Sequence, residues 1–210
     1  MPLPASPNRV EIHHRRIDMH GYQRDDGLYE IDARVVDRKT HAVQPPGGGA
    51  IVPPGSPVHD MSVRILINDR LDVVDIVAVT DASPYPVCIE AAPTLARLKG
   101  ARIGPGWTRY VKDTLGGVAS CTHLMELMIP LGTAAYQTLT RERLSRPEPV
   151  DERGRPRKVD SCYAYASHRP VVFARWPEHY TGRAPVATVN GELGPVAQAP
   201  AVSCGKRPGR

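Results

Sequence analysis

The chain has 210 residues, of which 41% are hydrophobic and 23% are charged, enough for one small domain with a single apolar core. Its formal net charge is +5, but residues 1–140 hold 14 Lys and Arg against 15 Asp and Glu, whereas residues 141–210 hold 13 against 7. These cations are spread through Pro- and Gly-rich sequence with one dense run, RGRPRK at 153–158, so the charge indicates a solvated linker and tail and argues against a nucleic-acid partner.

The apolar stretches and the cysteines favour a cytoplasmic protein. The first residues, MPLPASPNRVEIHHRR, contain no apolar run typical of a secretory signal, and the most apolar stretch, 124–136, is broken by Glu126 and Pro130. The four cysteines stand at 88, 121, 162 and 204, without any CxxC pair. We therefore expect a cytoplasmic location, no membrane segment, and reduced thiols that are available as ligands or nucleophiles.

Alternating apolar residues predict two β-hairpins in the first part of the chain. A weak alternation at 17–23 and a stronger one in LYEIDARVVD at 28–37 flank a turn at Asp26 and Gly27. Beyond a Pro/Gly loop at 42–57, a second pair of alternating runs flanks a turn at 68–70 and ends at Asp81. These runs predict an antiparallel sheet of about four strands.

The pattern then becomes helical. We expect a helix that starts at Pro93 and ends before Gly100, a second at 107–115, and a third at 124–144 with a kink at Pro130. Strands followed by helices predict an α+β fold in which three helices cover one face of the sheet. We expect this core to span 1–145, an extension packing on it to span 146–182, and a disordered basic tail to follow at 183–210.

The junction TDASPYPVCIEAAP at 80–93 is the first place that could carry chemistry. Cys88 follows a turn stiffened by two prolines and precedes a helix, where the backbone dipole favours a thiolate. Asp81 and Glu90 flank it, so either carboxylate could supply a fourth metal ligand or move a proton. The alternative is that Cys88 is a small buried hydrophobic residue.

The segment GGVASCTHLMEL at 116–127 places Cys121 and His123 at the start of the longest helix. Thiolate and imidazole are ligands that zinc and iron accept, and with Cys88 they would supply three ligands of a metal site. Without a metal, Cys121 could be a nucleophile with His123 as its general base. In the simplest alternative, His123 only satisfies its own helix end.

His59 and Asp60, just before a strand, form a third candidate pair. They could act as a ligand and its supporting carboxylate, or as a general base and the group that orients it. A turn capped by an aspartate explains the same residues equally well. The histidines His13, His14 and His20 lie in the polar entry segment and rank lower as candidates.

The motifs GYQRDDGLYEIDARVVDRK, HDM, VTDASPYPVC, IGPGW and SCTHLMEL, in this order, resemble a bacterial family known as domain-of-unknown-function family 2889. The resemblance covers about residues 12–182. It implies no assigned reaction, although it implies that some members serve the catabolism of aromatic compounds.

Residues 60–140 are also similar in layout to the U-type iron–sulfur cluster scaffolds. That resemblance aligns Cys88 with the first scaffold cysteine, Cys121 with the last, and Asp81 with a position close to a family aspartate. This chain has no cysteine between 88 and 121, and its His123 follows Cys121 where the scaffold histidine precedes the cysteine. The resemblance therefore implies the fold and a rebuilt site, not a transferable cluster.

Together these features favour a small-molecule enzyme that performs a lyase or hydrolase step. Cys88, Cys121 and His123 would be metal ligands, with zinc or iron as the metal, and Asp81, Glu90, His59 or Asp60 would complete the catalytic set. No organic cofactor is indicated, and a homo-oligomer is compatible with the sequence. The alternatives are a metal or iron–sulfur carrier without catalysis and an interaction module whose basic tail binds an acidic partner.

Overall fold

The computed structural model describes residues 3–183, which divide after Ser145 into two compact units. The first unit is an α+β domain built on an antiparallel sheet, as the alternating sequence predicted. Its strands are ten or eleven residues long, and the apolar alternation is clearest in β2 and β3. They follow one another in the sheet in chain order: β1 (His13–Gln23), β2 (Tyr29–Lys39), β3 (Pro57–Ile67) and β4 (Val73–Ala82).

The strand register brings three strands together at one end of the sheet. Asp37 of β2 lies opposite Arg15 of β1 on one side and opposite His59 of β3 on the other. Irregularities in the ladder fall beside this point, between Asp37 and Arg38 and between Asp60 and Met61. Such irregularities bend strands and redirect side chains, so this end of the sheet is shaped differently from the rest.

Helices cover one face of the sheet. The α-helices of the first unit are α1 (Trp107–Leu115), α2 (Thr122–Thr138) and α3 (Thr140–Leu144), and a 3₁₀ segment spans Pro86–Leu98. Helix α2 packs against β1, β2 and β3, and the 3₁₀ segment packs against β4. The buried core between these layers is mainly aliphatic and includes Ile31, Met61, Ile65, Ile67, Leu95, Leu98, Leu115, Leu124 and Leu131.

Two helix boundaries differ from the sequence-based prediction. The first helix does not start at Pro93 but forms 3₁₀ turns from Pro86, with Pro93 inside them. Pro86 stands at the first position, where a proline is tolerated, while Pro93 removes an N–H donor from the interior and disfavours a regular α-helical ladder. The predicted third helix is divided at Leu139 into α2 and α3, while Pro130 is accommodated within α2.

The second unit begins at Arg146 and is described to residue 183. It contains α4 (Pro170–Arg175) and a small apolar cluster of Val159, Val172 and Trp176. The expected packing of 146–182 on the core stays a prediction, and the predicted basic tail lies, apart from residue 183 itself, outside the described residues. Among residues 3–183, no helix combines the length and the apolar character that crossing a bilayer requires.

Gly21 allows β1 and α2 to approach each other closely. A Cβ atom at this position would lie 1.9 Å from Oγ1 and 2.8 Å from Cβ of Thr138. A side chain of any size here would therefore push the edge strand away from the helix that covers it.

We expect Gly21→Ala to lower the free energy of unfolding by about 1–3 kcal/mol, measured by urea denaturation. Gly104→Ala is the matched control, because its added Cβ would meet only the hydroxyl of Tyr136 at 3.6 Å, an ordinary contact. Equal stability of the two variants would contradict the close approach of β1 and α2.

Candidate active site

Asp37 is a carboxylate on the apolar face of β2. It continues the row of buried residues Tyr29, Ile31, Ala33 and Val35, and only 3% of its surface is exposed. A charge in such a place is costly unless hydrogen bonds and opposite charges compensate for it. The partners of Asp37 therefore organise this end of the sheet.

Three side chains from two other strands donate hydrogen bonds to Asp37. Arg15 binds both carboxylate oxygens through Nε and Nη2, each at 2.8 Å, while Nε2 of His13 lies 3.0 Å from Oδ1. Nδ1 of His59 lies 3.1 Å from Oδ2. Burial opposes ionisation of the carboxyl, but the hydrogen bonds from Arg15 and His13 outweigh it and hold the pKa of Asp37 well below its usual range.

His59 is oriented by Asp37 and faces His123. Because its Nδ1 is engaged by the carboxylate, its Nε2 is the nitrogen left for a ligand or a proton. The ring centroids of His59 and His123 lie 3.8 Å apart, with 32° between the ring planes. Burial, together with the charge of His123, lowers the pKa of His59, so its ring is kept neutral at physiological pH.

Cys121 and His123 occupy the start of α2, as the sequence predicted, with Cys121 in the N-cap position. Sγ of Cys121 lies 3.9 Å from Nδ1 of His123 and 4.0 Å from Sδ of the fully buried Met61. Burial opposes the thiolate, but the hydrogen bond with His123 and backbone amides at the helix start lower the pKa of Cys121. The same hydrogen bond raises the pKa of His123, so the two groups favour proton transfer from sulfur to nitrogen.

This cluster can accept a metal ion. Single ligand atoms from Asp37, His59 and His123 all lie within 4.8 Å of one another. The Asp37 carboxylate already accepts four hydrogen bonds. It is therefore better placed to support a histidine ligand than to bind the metal directly. The imidazoles of His59 and His123 are then the groups of this cluster that are free to coordinate, and the sulfur of Cys121 lies beside them, 3.9 Å from Nδ1 of His123.

A cleft of about 500 Å³ opens above this cluster. His59, Cys121 and His123 line it, and the 3₁₀ segment contributes Cys88 and Glu90. Five of the seven predicted site residues therefore line one cleft. They are His59, Cys88, Glu90, Cys121 and His123.

Asp60 and Asp81 lie elsewhere. Asp60 is buried, but both its oxygens accept hydrogen bonds from Arg34, at 2.7 and 2.6 Å, on the sheet face opposite to the core. Asp81 is exposed, and its charge adds to that of Asp60 in raising the pKa of Arg34. Neighbouring residues of a strand point to opposite faces, so Asp60 cannot be the carboxylate that orients His59, and Asp37 takes that position.

Sequence reasoning missed Asp37, Arg15 and the contribution of His13. The available signal was the phase of the alternation: Asp37 stands where β2 should present an apolar side chain to the core. A carboxylate in a core phase requires partners, and Arg15 and His13 stand in the matching phase of β1.

A family model described as protein of unknown function (DUF2889) matches residues 13–137. This range contains all four strands and every residue of the candidate site, from His13 beside Asp37 to His123 in the cleft. The chain has no match among the curated proteins or the solved structures. The likeness to the iron–sulfur scaffolds therefore stays a prediction.

We expect Asp37→Asn to destabilise the protein by about 1–3 kcal/mol, because Arg15 and His13 would lose their charged partner while remaining partly buried. The control is Asp32→Asn on the same strand, which removes a similar two-bond contact with the more exposed Arg64 and should change stability only slightly. Urea denaturation of both variants makes the comparison.

The difference in stability between the wild type and Asp37→Asn should also depend on pH. The folded-state pKa of Asp37 lies below its unfolded value, so its stabilisation is complete above an unfolded carboxyl pKa of about 4 and is lost as the pH falls below it. The gap between the wild type and Asp37→Asn should therefore narrow as the pH falls below about 4. A gap that widens below about pH 4 would contradict the assignment.

The thiol of Cys121 should react with iodoacetamide with a midpoint pH below about 8.5, the ordinary thiol value. His123→Ala should raise this midpoint because the hydrogen bond that stabilises the thiolate is removed. Thr122→Ala, an exposed neighbour in the same helical turn, is the control and should leave it unchanged. Alkylation at Cys121 is followed by mass spectrometry, and an unchanged midpoint in His123→Ala would refute the coupling.

Proposed function

The chain belongs to the family described as protein of unknown function (DUF2889), as its motifs predicted, and we propose that it is a small-molecule enzyme performing a lyase or hydrolase step. One observation carries the proposal: a thiol and two imidazoles meet at the floor of one cleft, with a buried carboxylate orienting one of them. Perturbed pKa values in a concave site are typical of groups that transfer protons or bind metals.

We propose that the site is metal-assisted, with zinc or iron held by His59, His123 and Cys121. Asp37 would fix the ring of His59 from behind, as carboxylates do for ligand histidines. Cys88, across the same cleft, is the proposed further ligand. A metal bound there would polarise a substrate oxygen or activate a water molecule, chemistry suited to both reaction classes.

The protein's own groups supply the proton transfers. Glu90 lines the same cleft and is not among the proposed metal ligands, so it can act as an acid or a base on a ligand bound there. Because this chemistry needs reduced thiols, the proposal places the protein in the cytoplasm.

A metal carrier without catalysis is the second candidate. Its support is the presence of Cys88 and Cys121 on the same cleft, since thiolates are the ligands that transferable metals and clusters prefer. Visible absorption identifies an iron–sulfur carrier, because a cluster is coloured and a zinc site is not.

The metal content of the purified protein and of its variants tests the proposal. We expect one equivalent of zinc or iron in the wild type and an affinity lowered at least about tenfold in Cys121→Ser and His123→Ala. Asp37→Asn should lower the metal affinity by about 10–100-fold, because His59 would lose the carboxylate that orients it. The control, Cys162→Ser, changes an exposed thiol of the second unit and should have no effect. Absence of metal from the wild type, or its retention in all variants, would overturn the metal centre.

A further inference from the structure

Exposed apolar side chains gather at the mouth of the cleft. Tyr85 and Val118 both line it, and the side chain of Val118, in the short 3₁₀ turn Gly117–Ala119, lies entirely in solvent. Single exposed apolar residues are common, but Tyr85 and Val118 both line the same cleft and form an apolar rim that an apolar molecule could cover.

The charges around the cleft disfavour an anionic ligand. Of the described residues that line it, none is Lys or Arg, and Glu90 is the sole carboxylate. The nearby arginines are engaged: Arg97 donates to the carbonyl of Ala119 at 3.0 Å, and Arg15 binds Asp37. At the entrance of the cleft, a carboxylate or phosphate would meet Glu90 and no Lys or Arg side chain of the lining, so the entrance disfavours an anionic ligand.

Most polar groups of the cleft are half-buried, whereas Tyr85 and Val118 at its rim are exposed. The half-buried groups include Cys121, His123 and His59, while the hydroxyls of Thr94 and Ser120 bond to each other at 2.6 Å. The cleft therefore offers an apolar entrance and one polar, reactive end. Its volume of about 500 Å³ is within the usual range for pockets that hold small organic molecules.

We propose that the ligand of this cleft is an uncharged, largely apolar organic molecule with one polar group, a hydroxyl or a carbonyl, directed at Cys121 and His123. This inference rests on the proposed function and specifies the substrate class of the same site. Val118 and Tyr85 contact the apolar body, and Glu90 excludes anionic molecules of the same shape.

A pair of fluorescent probes with the same rings tests the charge preference. Phenylnaphthylamine is uncharged, and anilinonaphthalene sulfonate adds one sulfonate to the same skeleton. We expect the uncharged probe to bind the wild type at least about tenfold more tightly than the sulfonate. Glu90→Lys should narrow or reverse this preference by strengthening sulfonate binding.

Two valine variants test the position of the probe. Val118→Asp should weaken binding of phenylnaphthylamine about tenfold, because it places a charge at the apolar rim. Val74→Asp is the matched control, an exposed valine of β4 that does not line the cleft, and should leave binding unchanged. Both valines are exposed, so neither variant disturbs the core, and circular dichroism checks the fold.

Equal or tighter binding of the sulfonate to the wild type would overturn the inference, as would unchanged binding of phenylnaphthylamine to Val118→Asp. These outcomes are independent of the metal test. A protein that prefers the uncharged probe but contains no metal would support the inference while overturning the metal centre.

Discussion

The ion pair between Arg15 and the buried carboxylate of Asp37 is the interaction on which the site depends. It compensates a charge that otherwise could not remain on the apolar face of β2, and it ties the edge strand β1 to the middle of the sheet. With its charge satisfied, Asp37 also holds Nδ1 of His59 and thereby directs the other nitrogen of that ring toward the cleft. In that orientation the ring of His59 lies against the ring of His123, whose Nδ1 is 3.9 Å from Sγ of Cys121.

The sheet could be predicted from the sequence because each strand and each hairpin turn is indicated by residues that are close together in the chain. Each strand carries its own two-residue alternation, and the turn at Gly27 and the turn at 68–70 mark the hairpins between them. The 3₁₀ segment could not be predicted equally well. Its composition is helical, but two prolines and packing against β4 decide between helix types, and packing is not visible in a single sequence.

The candidate site was partly predictable for the same reason. Cys121 and His123 could be placed at a helix start because the glycines before them mark that boundary. Asp37 could not be paired with His59 from the sequence, since the two are 22 residues apart and meet through the register of β2 and β3. Asp60 is adjacent to His59 in the chain, yet the strand pleat turns it to the other face, where Arg34 binds it. The sequence neighbour Asp60 thus points away from His59, while the distant residue Asp37 binds it.

The floor and the walls of the cleft differ in how well they tolerate substitutions. Its floor belongs to β3 and to the start of α2, and Asp37 of β2 supports it from below, so these groups are locked into the core. Its walls belong to the 3₁₀ segment and the short turn around Val118, whose outward side chains pack against little. Substitutions in the walls can therefore alter which molecule fits without moving the reacting groups. The same reacting groups can therefore act on different ligands after a few surface side chains are exchanged. The specificity of this fold can change without a change in its chemistry.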